Sequence, residues 1–378
     1  MNKYMHPRNI YKVPPNFTEV AHYYPEFQKY VLEKPNGKLT FDFKNADGLR
    51  CLTKILLKKD FKLDVTIPED TLIPALPLRL NYILWLEDLL DWTLERKTEI
   101  KGIDIGTGAT CIYPLLAARK NGWKMLGSEI NESNKKMAEE NVKKNSLEHL
   151  ITIVAVSSST FLDGIVTENE NIDFCMCNPP FFNSSNLEED KKRYRKGQHQ
   201  KIKNCTSGKM DEILSNGGET EFVKRIIQDS LKLRDKIRIY TSMVGHKSSV
   251  QPLLQELKRC GVTSVSQTEF CQGRTVRWAV AWTFTNSVLK VILPLAERKL
   301  FKPITWTIKS KLKFQKCAEI VPVLLFQLKL LQIVGHYQHF SFFFWPWGIR
   351  IMKKPNVLGN KIKKERNKLI YTKEQSIF

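Results

Sequence analysis

The feature that most restricts how this chain can fold is a strand-like run that stops at Asn178-Pro179-Pro180-Phe181. The preceding Ile172-Asp173-Phe174-Cys175-Met176-Cys177 is apolar but for one acid and reads as a buried strand. Two prolines in succession cannot extend a ladder, so the tetrapeptide marks the strand's C-terminal tip. Upstream, Gly102-Ile103-Asp104-Ile105-Gly106-Thr107-Gly108 has the form of another strand entering a glycine turn, with a helix expected from Ala109. Open α/β sheets place their chemistry at such tips. A glycine turn beside an amide-proline tip implies a nucleotide-cofactor site next to an amino-group site, the pairing an N-methyltransferase uses.

The residue types suit that chemistry. An exocyclic adenine amine is a poor nucleophile because its lone pair is delocalised into the ring. The side-chain oxygen of Asn178 and the carbonyl of Pro179 can accept its two hydrogens, favouring a pyramidal nitrogen aimed at a methyl donor. Pro179 and Pro180 stiffen the loop and remove competing N–H donors. Phe181 offers a face on which a flipped-out base can stack. An ordinary turn closing a strand is the plain alternative. The glycine turn upstream favours the catalytic reading.

The pattern around these motifs alternates between strand and helix periods. Strands are expected at residues 100–105, 123–128, 151–156, 172–177 and 237–243. Helices are expected at 109–120, 134–145, 219–233 and 251–260, and two strands joined at Gly273 close the pattern at 262–270 and 276–284. The implied fold class is α/β, a Rossmann-like class I methyltransferase with a mostly parallel sheet and a closing antiparallel hairpin. Before it lies an N-terminal helical module with helices expected at 45–59, capped by Asn45, and at 78–92. Its basic and aromatic residues, Arg8 and Lys12 among them, suggest an RNA-binding face, although many of the aromatics also suit a core.

The division that follows is 1–77 as an RNA-binding module, 78–284 as the methyltransferase domain, and 285–378 as an atypical basic and apolar tail without a recognisable fold. Residues 183–216 form a long polar segment directly after the tetrapeptide, a placement suited to a substrate loop. Lys192, Arg193, Arg195 and Lys196 lie at its basic centre. In the tail, the apolar stretch 318–335 is broken by Gln327, Lys329 and Gln332, which makes it a poor membrane span.

Sixty Lys and Arg against 39 Asp and Glu leave a net charge of +21, which points to a polyanionic partner. The tail holds 18 basic and 4 acidic residues, a net +14, so only +7 remains for residues 1–284. Nucleic-acid recognition by the core must therefore rest on local clusters. Eight dispersed cysteines form no C-x-x-C pair and seven histidines no H-x-x-x-H pair, so no metal site is expected. Cys175 and Cys177 would share one strand face as small buried hydrophobes. No signal peptide is visible between Met1 and Pro15, and an intracellular setting with reduced thiols is expected.

Gly106 and Gly108 let the backbone approach a ligand, but the following Ala109-Thr110-Cys111-Ile112 leaves the dinucleotide fingerprint incomplete. Glu129, 23 residues past Gly106, is placed at a strand tip to accept hydrogen bonds from ribose hydroxyls. S-adenosyl-L-methionine fits better than NAD, because the chain pairs this turn with an amine site and supplies no hydride site.

Four segments then match something specific. They are Leu76-Pro77-Leu78-Arg79-Leu80-Asn81-Tyr82, the glycine motif continued to Ala109, Cys175-Met176-Cys177-Asn178-Pro179-Pro180-Phe181-Phe182, and Glu269-Phe270-Cys271-Gln272-Gly273-Arg274-Thr275. Together they resemble the methyltransferase-like protein 16 family over residues 5–284. That family methylates adenine N6 in U6 small nuclear RNA and in structured messenger RNA hairpins, and is related to a bacterial ribosomal RNA methyltransferase. The resemblance implies that Arg79 contacts the cofactor at its carboxylate, and that Gly106, Glu129, Thr160 and Asn178 are cofactor positions. It places Asn178 between cofactor and target base, and implies a nuclear location with a cytoplasmic pool. Competing expectations are ribosomal RNA methylation, protein glutamine methylation, and an RNA-binding regulator with little turnover.

Overall fold

The computed structural model describes residues 4–93, 99–157, 161–162, 164–167, 171–180, 182–183, 214–215, 217–273, 275–285, 340–345 and 348–353. Of Trp92, 182–183, 214–215, 340–345 and 348–353 it describes the backbone alone. The chain divides into two compact units, Met1–Ala296 and Glu297–Phe378.

The first unit opens with short helices α1 (Phe17–Tyr23) and α2 (Pro25–Gln28) and a small hairpin, β1 (Val31–Glu33) with β2 (Leu39–Phe41). The sequence reading anticipated neither the helices nor the hairpin, since three-residue strands carry too little alternation to register. Helix α3 (Ala46–Phe61) starts where Asn45 accepts the Gly48 N–H at 2.9 Å, as expected of a capping side chain. It ends at Lys62 in a left-handed conformation, with the Leu63 N–H returned to the Leu57 carbonyl at 3.1 Å. Helix α4 (Leu76–Thr93) follows.

The chain then runs β3 (Lys101–Ile105), α5 (Ile112–Asn121), β4 (Lys124–Glu129), α6 (Glu132–Lys144), β5 (Ile151–Ala155) and β6 (Ile172–Cys177). After β6 come a two-residue parallel pair, β7 (Phe182–Asn183) with β8 (Leu214–Ser215), then α7 (Gly218–Leu233), β9 (Ile237–Val244), α8 (Lys247–Arg259), β10 (Ser264–Gln272) and β11 (Thr275–Thr283). Seven of these strands form one sheet in the order β10-β11-β9-β6-β3-β4-β5. The β3–β4, β3–β6, β4–β5 and β6–β9 pairs are parallel. The closing hairpin is present, but β11 inserts between β9 and β10 and pairs antiparallel to both. The antiparallel member thus lies one place in from the edge, and β10 at the edge runs with the other strands.

Side-chain parity divides the sheet's two faces. Phe174, Met176, Ile239 and Met243 point to the layer formed by α3, α4 and α5. Ile103, Ile105, Cys175, Cys177 and Tyr240 point to the layer of α7 and α8. Cys175 and Cys177 share a face as expected, fully buried, and burial pushes both thiols above their usual range. Among the described residues no helix is long and apolar enough to cross a membrane, and no cluster of three metal-ligating side chains occurs.

Two boundaries moved for identifiable reasons. Helix α5 begins at Ile112 rather than near Ala109, because the turn continues through a left-handed Cys111 (φ 48°). Helix α8 begins at Lys247 rather than Gln251, and the backbone leading into it is held by another element. Buried Glu219 on α7 accepts from the N–H groups of Gly245 and His246 and from the Ser249 hydroxyl, at 2.5, 3.0 and 2.6 Å. The second unit, where no fold was expected, contains an antiparallel pair, β12 (Phe340–Trp345) with β13 (Gly348–Lys353).

Between β3 and β6 the packing is tight at Gly102. A Cβ there would lie 2.2 Å from the Phe174 ring, which is fully buried and set edge-on against Trp123 at 5.1 Å. Gly102→Ala should therefore cost about 1–3 kcal/mol through overpacking. The midpoint of denaturant unfolding measures this, and an unshifted midpoint would show that the ring can retreat.

Candidate active site

The strand alternation that buries the apolar residues also gathers the polar ones. Asp104 on β3 is in register with Gly127 on β4 and Met176 on β6. Counting in twos, Glu129 at the end of β4 and Asn178 just past β6 fall on the same face as Asp104. That is the face covered by α4 and α5, which bring Arg79 and Tyr113. Asp104, Glu129, Arg79 and Tyr113 are all buried.

The turn after β3 has the backbone its glycines require. Gly106 and Gly108 adopt φ of 71° and 66°, and a Cβ at either would meet nothing within 4 Å. They are therefore demanded by backbone conformation, in front of open space that a ligand can use. The neighbouring strand holds the turn in place. Thr107 donates its N–H to the Ser128 carbonyl at 2.9 Å. The Glu129 carboxylate receives the N–H of Gly108 at 2.8 Å on one oxygen, and those of Ile130 and Asn131 at 3.0 and 2.9 Å on the other. Sequence reasoning assigned Glu129 to ribose hydroxyls. The structure adds that the same carboxylate fixes the turn, with lone pairs left over for a ligand.

Arg79 donates to the Tyr113 hydroxyl at 2.7 Å and lies over the Tyr113 ring, while its Nε has no partner. Both carboxylate oxygens of Asp104 are buried without a hydrogen bond, as is the Thr107 hydroxyl. Burial above all, with a smaller push from the nearby Glu129, brings the Asp104 carboxyl up to about 7. The Thr107 hydroxyl, close but outside hydrogen-bonding geometry, and the Arg79 guanidinium oppose that rise. An unpaired buried carboxylate costs free energy that a ligand cation can relieve, and an unfilled guanidinium N–H invites a carboxylate. The amino-acid end of S-adenosylmethionine has both groups, so the residues present fit it. Ile130, directly after Glu129, is a large apolar side chain left 55% exposed.

Asn178 stands at the tip of β6, its side-chain oxygen buried and without a partner. Pro179 is buried and Pro180 half-buried beside it. The strand is held there by the Tyr82 hydroxyl, which accepts the Cys177 N–H at 3.3 Å and meets the Thr241 hydroxyl at 2.8 Å. Thr241 in turn donates to the Cys175 carbonyl at 2.8 Å.

Phe181, Thr160, Lys192, Arg193, Arg195 and Lys196 lie outside the described residues. Arg8 is committed to α4, forming ion pairs with Glu87 at 2.5 Å and with Asp88 and donating to the Leu84 carbonyl at 3.1 Å. Its charge is thus largely matched within the chain. Lys12 has no ion pair among the described residues. Sequence reasoning passed over Asp104, Thr107 and Tyr113. The usable signal was an acid inside the apolar run Ile103-Asp104-Ile105, since a buried carboxylate without a partner asks for a ligand.

Fold and site together define a class I methyltransferase, with a glycine turn after β3 and a buried, unpartnered amide oxygen, that of Asn178, at the tip of β6. An RNA methyltransferase family model matches residues 1–286. The chain is 47% identical over 313 residues to the Danio rerio RNA N(6)-adenosine-methyltransferase mettl16, covering 82% of this chain and 66% of that protein. It is 45% identical over 288 residues to the U6 small nuclear RNA (adenine-(43)-N(6))-methyltransferase of Drosophila pseudoobscura pseudoobscura, covering 75% and 94%. The crystal structure of the hMettl16 catalytic domain in complex with MAT2A 3'UTR hairpin 1 matches with a TM-score of 0.69 at 45% identity, covering 76% of this chain and 97% of that one. The N-terminal domain of human METTL16 in complex with SAH matches with a TM-score of 0.63 at 45% identity, covering 75% and 99%. The chain belongs to the methyltransferase-like protein 16 family. It spans two thirds or less of the vertebrate relatives, 54% in the human case.

A cofactor ammonium held at Asp104 should make cofactor binding depend on pH. Its proton is held more tightly in the fold than in the unfolded chain, so its contribution to stability falls as pH rises from the ordinary carboxyl range to about 7. A bound ammonium group favours the ionised form, so cofactor affinity should rise with pH up to about 7, by as much as about tenfold per pH unit. Calorimetric titration of S-adenosylhomocysteine across that range measures the slope. Asp104→Asn should bind more weakly with no slope, and an unchanged slope would remove Asp104 from the site.

Proposed function

We propose that this chain transfers a methyl group from S-adenosyl-L-methionine to adenine N6 in structured RNA, with U6 small nuclear RNA and messenger RNA hairpins as substrates. The observation that carries the reading is the Asn178 side-chain oxygen, a buried acceptor with no partner at the tip facing the cofactor turn. The names of the relatives, one a U6 small nuclear RNA methyltransferase and one crystallised with an RNA hairpin, support the choice of substrate.

The cofactor, when bound, supplies an electrophilic methyl group on a positively charged sulfur. Arg79 and Asp104 hold its amino-acid end and Glu129 its ribose, with Thr160 bordering the adenine. Asn178 and the Pro179 carbonyl accept the two amine hydrogens of the target base, exposing the nitrogen lone pair. Pro180 keeps that carbonyl in place, and Phe181 stacks on the base. The reaction needs no residue to abstract a proton before transfer, because the nitrogen is activated by geometry.

We assign RNA binding to the 1–77 module and the 183–216 segment, through Lys12, Lys192, Arg193, Arg195 and Lys196. Arg8 serves that face by pinning the N-terminal segment onto α4. Residues 78–284 carry the chemistry, and 285–378 adds non-specific attraction through its charge. The proposed setting is the nucleus with a cytoplasmic pool, and neither metal nor membrane is invoked.

Transfer of labelled methyl groups to total RNA, followed by mapping of the modified base, tests the reading. Label at protein glutamine, or none in RNA, would overturn it. Asn178→Ala should lower turnover about a hundredfold or more while leaving cofactor affinity unchanged. Near-normal turnover would remove the central claim.

Lys12→Ala should weaken RNA binding and flatten its salt dependence, since one fewer counterion is released. Arg8→Ala should change that slope less and lower thermal stability instead, because its charge is already paired. Equal slopes for the two variants would show that the ion pairs of Arg8 open on RNA.

A further inference from the structure

Between the N-terminal module and the catalytic unit, the chain crosses residues 63–67 in an irregular path beside α6. Leu63, Val65 and Ile67 are buried, so the intervening backbone polar groups need partners. Two asparagines supply them. Asn145 accepts the Asp64 N–H at 2.8 Å and donates to the Asp64 carbonyl at 2.8 Å. One helical turn earlier, Asn141 accepts the Thr66 N–H at 2.7 Å and donates to the Thr66 carbonyl at 3.0 Å. The two side-chain amides act as one edge of a ladder for this segment.

Asn141 does something that Asn145 does not. Its amide nitrogen has two hydrogens, and the second goes to the Ala109 carbonyl at 3.1 Å. Ala109 directly follows Gly108, whose N–H is held by Glu129. The cofactor turn is therefore gripped from β4, by Ser128 and Glu129, and also from α6, by Asn141. Asn141 is 1% exposed, so water does not replace a lost partner cheaply.

We propose that Asn141 is a positioning residue that couples docking of the N-terminal module to the shape of the cofactor turn. The inference rests on the reading of that turn as the S-adenosylmethionine site. One amide group spans both elements, so a shift of residues 64–66 moves the group that orients the Ala109 peptide. Coupling between two sites is reciprocal, so ligand in the turn should also steady the segment. Asn145 provides the control, because it shares the segment contact and the helix but does not reach the turn.

The test uses the full chain and S-adenosylhomocysteine as probe, with calorimetric affinity measured for wild type, Asn141→Ala and Asn145→Ala. Loss of one buried hydrogen bond predicts a rise of about three- to tenfold in the dissociation constant for Asn141→Ala alone. In turnover, the same variant should raise the KM for S-adenosylmethionine and leave kcat nearly unchanged. Hydrogen exchange gives an arm that needs no variant: ligand should slow exchange of the Thr66 amide in wild type. Unchanged affinity in Asn141→Ala would overturn the proposal, as would an equal loss in Asn145→Ala. So would ligand-independent exchange at Thr66. Failure of the wild type to bind the probe would instead overturn the cofactor reading itself.

Discussion

Helices cover both faces of the central sheet, so a polar side chain on an inner strand persists only where a partner or a ligand awaits it. On β6 every residue from Ile172 to Cys177 is buried. Its polar Asp173 is used at once, accepting the Lys101 N–H at 3.0 Å. Asp104 has no such use within the chain. Its orphaned oxygens and those of Thr107 and Asn178 mark where the fold leaves its own hydrogen bonding unfinished. They all lie at or next to the carboxyl ends of the parallel strands β3 and β6. The same rule that makes the core apolar therefore localises the chemistry.

The glycine turn is a conformational device before it is a binding device. Positive φ at Gly106 and Gly108 folds the chain back over the tip of β3, and only contacts with neighbouring elements keep it there. Glu129 is the strongest of these contacts, with three N–H groups on one buried carboxylate. Such charge-assisted bonds are worth about 1.5–3 kcal/mol each. A carboxylate already fixed in this way meets a ribose with little further ordering, which favours affinity.

The N-terminal module is fastened to this site rather than tethered near it. His6 and Arg8 pair with carboxylates of α4, and the Asn9 amide donates to the Pro77 carbonyl at 2.9 Å and to Asn81 at 2.7 Å. Asn81 donates to the Cys271 carbonyl at 3.0 Å, at the end of β10. With Arg79 two residues away on α4, one helix bears the guanidinium assigned to the cofactor, the anchor of the N-terminal segment and a bond to the closing hairpin. The segment that carries Lys12 is thus set by the helix that carries Arg79.

What was legible in the sequence followed from local periodicity and local stereochemistry. Alternation at period two, proline at Asn178-Pro179-Pro180 and glycine at 106 and 108 determined the strands, their tips and the turn, because each acts through its own backbone. Asn45 as a helix cap belongs to the same class. The start of α8 was not legible, because the backbone leading into it is held by Glu219, 28 residues before the helix. Nor was the occupation of Arg8, which depends on α4 lying against the N-terminal segment. The role of Asn141 was invisible for the same reason: an asparagine within a polar helix looks solvated until residues 64–66 and Ala109 are folded against it. Residue types and spacing determined which class of reaction to expect; only packing between distant segments decided which side chains remain free for ligands, since hydrogen bonds are satisfied across space rather than along the chain.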